Sequence, residues 1–326
     1  MEVNTENLKK WSEIGHRDVF GKTIIDIAQQ REEVVVLTAD LSDATRVTAF
    51  SKIFPERFVN VGVAEQNMIS TAAGFALGGK IPFATTFASF ASLKVCEQVR
   101  NDLAYQNLSV KVVGIDTGVS SSNLGVTHYG WEDISVLRGI PNMVILSPCD
   151  GLSVMKLVWA AAEYDGPVYI RLSGGKPIPI VYEEDRVFEI GESMTVQYGC
   201  DVTLFATGLM VSRAVDAARK LHVKGIEARV VDMYCIKPID EKAILAVADE
   251  TGLIVAVEEH NKIGGLGSAI AEVLAERGNA PKLIRMALSD QFCNIASHQT
   301  LLERYGLTSE GIYSTVMKNM KSSSTS

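Results

Sequence analysis

Residues 59–98 read VNVGVAEQNMISTAAGFALGGKIPFATTFASFASLKVCEQ, and the fold follows from how they alternate. A short apolar run, 59–63, predicts a strand. The carboxylate Glu65 follows, and then a helix of small residues over 69–77 with Ala72, Ala73 and Gly74 at its middle. Gly78 and Gly79 end that helix, as glycine at a helix C-terminus commonly does. Pro82 opens a second strand, with Phe87 and Phe90 three residues apart just beyond it. Ala-Ala-Gly permits close approach of another backbone or a flat ligand. A glutamate between Val63-Ala64 and an apolar helix is expected to be buried, with its proton affinity raised. The competing reading is an exposed anion at a helix N-terminus, where negative charge is favoured anyway.

The same alternation extends in both directions. An apolar stripe of Ile14, Val19, Ile24, Ile25, Ile27 and Ala28 predicts a helix over 11–30, carrying Arg17 on its early turns. Val34, Val35, Val36 and Leu37 form a strand buried on both faces. It runs into Thr38-Ala39-Asp40, and polar residues at such strand ends are where open α/β sheets place ligands. A helix is expected over 93–103, a strand over 110–115, then a long loop over 116–131 (DTGVSSSNLGVTHYGW). Loops of that length in compact domains are usually functional. Further helix–strand alternation to 172 implies a mostly parallel sheet with helices on both faces. The periodicity lapses between 173 and 192 and then resumes. This gives an α/β chain of two domains, each a mostly parallel sheet covered on both faces: 10–175, a linker at 176–195, and 196–320. The tail KSSSTS is expected to be disordered.

Bulk properties narrow the class. The 326 residues are 47% hydrophobic and 21% charged, a soluble globular composition. A net charge of −8 argues against nucleic acid or an anionic membrane surface as partner. No apolar run is long enough to span a bilayer, and MEVNTENLKK resembles no signal or transit peptide. Five scattered cysteines without CxxC or metal-ligand spacing fit reduced thiols in the cytoplasm.

The run GVAEQNM, its small-residue helix and TTFASF resemble the pyrimidine-binding domain of transketolases, and also that of 1-deoxyxylulose-5-phosphate synthases. DMYCIKPID and VAVEEHNKIGGLGSAIAEVL resemble the C-terminal domain of the same enzymes, so the likeness spans nearly the whole chain. The resemblance implies thiamine diphosphate as cofactor. Glu65 then matches the glutamate that hydrogen-bonds the aminopyrimidine. Phe90 matches the aromatic that stacks on that ring, Phe87 its pocket neighbour, and Asp40 an acid near the cofactor or, equally, a helix cap. His128 matches a histidine over the reacting carbon. Arg17 and Arg171 match arginines that grip a sugar phosphate, and Thr48 a hydroxyl residue that assists them. For these residues ordinary core packing or surface ion pairing is the competing reading.

Three departures qualify the resemblance. Leu124-Gly125 stands where transketolases carry Asp-Gly, and Asp116 where they carry a phosphate-directed histidine. An aspartate there should repel phosphate, so a non-standard substrate is expected. The sequence also has no Gly-Asp-Gly, the motif that holds the diphosphate's metal in these families. The resemblance therefore implies half an enzyme. A separate N-terminal section would bind the diphosphate through Mg2+ or Ca2+, share the cofactor, and assemble as two copies of each chain acting on sugar phosphates. The alternatives are the beta subunit of a 2-oxo acid dehydrogenase, a deoxyxylulose-phosphate-synthase-like enzyme, or a non-catalytic regulatory or scaffolding half.

Overall fold

The structure, a computed structural model, describes residues 1–175 and 177–321. The tail expected to be disordered lies almost wholly outside them. The N-terminal part builds seven strands: β1 (Val34–Thr38), β2 (Phe58–Asn60), β3 (Ile81–Phe87), β4 (Lys111–Ile115), β5 (Val144–Leu146), β6 (Val168–Leu172) and, from far along the chain, β10 (Cys235–Lys237). Their order is β10-β5-β6-β4-β3-β1-β2, parallel throughout except that β10 pairs antiparallel with β5. The second sheet is β12 (Lys282–Leu288), β11 (Leu253–Asn261), β8 (Val202–Ala206), β9 (Ala228–Asp232) and β7 (Met194–Gln197), with only β7 antiparallel. Strands β1, β4, β6 and β8 are buried at every residue, as apolar, β-branched runs covered on both faces should be. Among the described residues no helix is long and apolar enough to cross a membrane.

Several local expectations are revised. The helix expected over 11–30 is α1 (Thr5–Gln30), interrupted at Gly15, whose φ of 79° breaks the spiral just before His16 and Arg17. The strand expected to reach Val63 stops at Asn60. The Asn60 side chain accepts from the backbone N–H of Gly62 and of Asp40, which turns the chain instead of continuing the ladder. The helix expected over 93–103 is wound as π turns, Phe90–Lys94 and Val99–Ala104, on either side of the short α4 (Cys96–Gln98). Single π turns inside helices concentrate at functional sites.

The stretch read as a linker is tied down. Ser12 Oγ donates to the Ile178 carbonyl at 2.5 Å, and the Val181 and Tyr182 amides both donate to Asp150 Oδ2. Tyr182 OH reaches Asp232 Oδ2 at the end of β9. Together with β10, these bonds join the two sheets through buried polar contacts.

Candidate active site

The register Thr38↔Asn60, Thr38↔Thr85, Phe87↔Ile115 and Ile115↔Leu172 brings the C-terminal ends of β1–β4 and β6 onto one rim. Residues just past those ends therefore share a crevice, the usual ligand position in such sheets. Two of them, Asp40 (φ 61°) and Asp116 (φ 54°), hold left-handed backbone, a region few non-glycine residues adopt. Local strain of this kind gathers at functional sites.

Glu65 is the first residue of α3 (Glu65–Leu77) and only 2% exposed. Its surroundings differ from those expected. Met68 is fully buried, but Val63 is 76% exposed. The partner of the carboxyl is Lys94, whose Nζ donates to Oε2 at 2.5 Å. The lysine side chain is itself 45% exposed and lies over the Phe90 ring, 5.4 Å from its centroid.

Three rings form the adjoining wall. Phe87 meets Phe90 edge-on at 5.8 Å, Phe87 meets His128 at 5.1 Å, and Phe90 meets His128 at 5.4 Å. The loop over 116–131 delivers His128 to this wall, and its Nδ1 lies 2.9 Å from Thr127 Oγ1. The loop is pinned at its base: Gly118 and Gly130 bond each other's backbone, and Val119 N–H donates to Glu259 Oε1 at 2.8 Å. Gly118 has φ 63°, and a Cβ there would strike the Glu259 carboxyl, so both backbone and space demand glycine.

Asp116 opens the loop beside Arg17 NH1 at 3.6 Å. Burial raises its carboxyl pKa, against the pull of Arg17, His298 and His128. Its Oδ1 is buried without a hydrogen-bond partner. The expected repeller of phosphate is therefore a carboxyl facing three basic side chains, and Arg17 is engaged with it and with the Ala44 carbonyl. His298 was assigned no role from the sequence. It comes from the second domain, at the start of α10 (His298–Arg304), with Nε2 3.0 Å from Glu259 Oε1.

The remaining candidates scatter. Arg171 does not face the crevice. It is 2% exposed, its Nε donates to Asp133 Oδ2 at 2.8 Å and its NH2 to the Glu259 carbonyl at 2.8 Å. That commits it beneath the loop instead of to a substrate phosphate. Thr48 begins α2 (Thr48–Ile53) with its Oγ1 buried and unpaired. Asp40 is exposed and bonded to Asn60, and caps no helix. Sequence reasoning missed Lys94, Glu259 and His298. Only Lys94 left a signal, standing four residues after Phe90 and so beside it on a helical surface.

Two mostly parallel α/β sheets, with a buried carboxyl and three clustered rings just past the strand ends of the first, place the chain among two-domain α/β proteins with a crevice at the carboxyl ends of the strands. The chain belongs to the transketolase family: residues 12–176 match the transketolase pyrimidine-binding domain and residues 191–312 the transketolase C-terminal domain. A protein of Methanocaldococcus jannaschii, provisionally described as a transketolase C-terminal section, is 44% identical, covering 94% of this chain and 96% of its own. The 6-deoxy-6-sulfo-D-fructose transketolase subunit of a Clostridium species is 42% identical over 91% of each chain. A solved split-gene transketolase, described as an inactive beta4 tetramer, superposes with a TM-score of 0.86 at 42% identity, covering 93% of this chain and 97% of its own.

The family implies thiamine diphosphate, and the residues present fit its aminopyrimidine half. The buried Glu65 carboxyl is an acceptor that could partner a ring nitrogen, and Phe90 an aromatic that could offer it a face.

Proposed function

We propose that this chain is the pyrimidine-binding half of a split transketolase that moves a two-carbon ketol unit between sugar phosphates, with at least one substrate outside the standard pentose phosphates. An N-terminal section on a separate polypeptide holds the diphosphate and its Mg2+ or Ca2+. Two copies of each chain assemble around shared cofactors in the cytoplasm. The single observation that carries this reading is the buried Glu65 carboxyl, linked through Lys94 to Phe90 of the Phe87–Phe90–His128 cluster.

When bound, thiamine diphosphate supplies a nucleophilic thiazolium carbon and an electron sink for the carbon–carbon bond change. The protein's part is proton placement and exclusion of water. Glu65 would accept a hydrogen bond from the protonated ring nitrogen, a role suited to a carboxylate held away from bulk water. Phe90 would offer a face to the ring and Phe87 would back it. His128, at the lip of the wall, orients substrate hydroxyls and relays a proton near neutral pH. Arg17, Asp116 and His298 line the adjoining rim, where the far end of the sugar would lie, and Thr48 stands apart from them at the start of α2. Asp40, exposed beside Asn60 past the end of β1, is the candidate for an acid near the cofactor. Arg171 is assigned to holding the loop.

Two further features support the reading. Leu124, Val126, Phe292 and Ile295 are 52%, 48%, 79% and 63% exposed, an apolar rim suited to a companion subunit. Leu124 and Asp116 depart from the pattern of ordinary transketolases, and the clostridial relative is named for a sulfonated sugar. The test is co-expression with a Gly-Asp-Gly-containing partner, followed by a donor–acceptor sugar screen. Glu65→Ala should abolish ketol transfer by the assembled complex. Undiminished turnover would instead mark a scaffolding half. Rates with xylulose 5-phosphate equal to those of ordinary transketolases would remove the claim of a non-standard substrate.

A further inference from the structure

Lys94 makes two contacts, and each falls on a feature assigned to the cofactor. Its ammonium takes the Glu65 carboxyl oxygen at 2.5 Å, and its side chain covers the face of Phe90 at 5.4 Å. An aminopyrimidine bound through Glu65 and stacked on Phe90 would draw on the same carboxyl and the same ring, so the two occupants compete.

The inference rests on the thiamine reading above. We propose that Lys94 is a positioning residue that occupies the pyrimidine seat of the unliganded chain and is displaced when the cofactor enters. The geometry suits both states. Without a ligand, a 2% exposed carboxylate left alone would carry the cost of a buried unpaired charge. The lysine pairs it, through a flexible four-carbon stem that is 45% exposed and can withdraw to solvent without repacking the core. The π turn Phe90–Lys94 places lysine and phenylalanine at its two ends, so seat and occupant are built from one turn. Displacement then subtracts the strength of the pair from the cofactor's binding free energy. This makes the seat hard to fill until a partner supplies the diphosphate contacts.

The test measures thiamine diphosphate affinity by calorimetry on the complex of this chain with its partner section. Lys94→Met should bind about tenfold more tightly than wild type, as when the competent state is open about a tenth of the time. Lys94→Arg retains a cation and should restore wild-type affinity. In the chain alone, without cofactor, Lys94→Met should lower the melting temperature of the wild type but not of Glu65→Gln. Unchanged or weaker affinity in Lys94→Met overturns the proposal, and so does equal destabilisation in both backgrounds. A wild-type complex that binds no thiamine diphosphate sinks the functional reading and this inference together. Cofactor binding that ignores residue 94 sinks the inference alone.

Discussion

Arg171 donates from Nε to Oδ2 of Asp133 at 2.8 Å, with the two side chains 2% and 0% exposed. Tyr169 OH joins the same oxygen at 2.8 Å, and the arginine's NH2 reaches across to the Glu259 carbonyl on β11. One buried pair therefore ties the first sheet, α5 (Asp133–Arg138) and the second domain together.

Removing one member of that pair strands the other charge out of water. Arg171→Met should cost about 3–5 kcal/mol of stability, read from the urea midpoint of the isolated chain. If the guanidinium instead gripped substrate phosphate, the midpoint would hold and only KM would rise.

Asp232 sets a pH dependence. Burial lifts its carboxyl pKa from the ordinary 3.8 to about 7, although hydrogen bonds from Tyr182 and Cys149 pull it down. Between about pH 4 and 7 the folded chain keeps this proton and the unfolded chain loses it, so this group's contribution to stability falls as pH rises through that window. Asp232→Asn still accepts from Tyr182 OH but cannot ionise. The variant's melting temperature relative to wild type should therefore climb from pH 5 to pH 8, by the equivalent of a few kcal/mol. A flat difference across that range would contradict the assignment.

Asp116 and Arg17 make opposite predictions for substrate charge. Asp116→Asn removes a negative charge at the rim and leaves Arg17 without a carboxylate at 3.6 Å. KM for a phosphorylated acceptor should fall about fivefold, roughly 1 kcal/mol for one charge near a wet surface, while KM for the neutral sugar stays put. Equal changes for both sugars would show that the aspartate does not read substrate charge.

Glu259 controls His298. Burial lowers the imidazole pKa, but the Glu259 carboxylate outweighs it and the net shift is upward. Glu259→Gln keeps an oxygen for the Val119 amide and removes the charge. The His298 titration followed by NMR should therefore move to lower pH, with the loop still closed to proteases. Glu259→Ala should both lower that pKa and open residues 119–127 to cleavage. An unmoved titration would mean the 3.0 Å contact does not persist in solution.

Much of the molecule was legible before folding, for reasons tied to particular residues. Val34–Val36 and residues 168–172 are continuous apolar runs that only a doubly covered parallel strand accommodates. Glu65, between apolar neighbours, was marked as a buried carboxyl. Nothing local betrayed β10, a three-residue strand that contributes to the other domain's sheet. Its pairing with β5 depends on residues some ninety positions away.

The chain's own order of residues determined the alternating α/β plan, the sequestered carboxyl and the aromatic pair beyond β3, because periodicity and burial are written in short stretches. Tertiary structure alone decided which charge meets which. It gave Glu65 to Lys94, buried Arg171 on Asp133, and set His298 on Glu259, both from the second domain, against the loop of the first. Ion pairing falls off with distance in space, and distance along the chain does not report it. Partners 29, 38 and 39 residues apart become neighbours only when the sheets have formed.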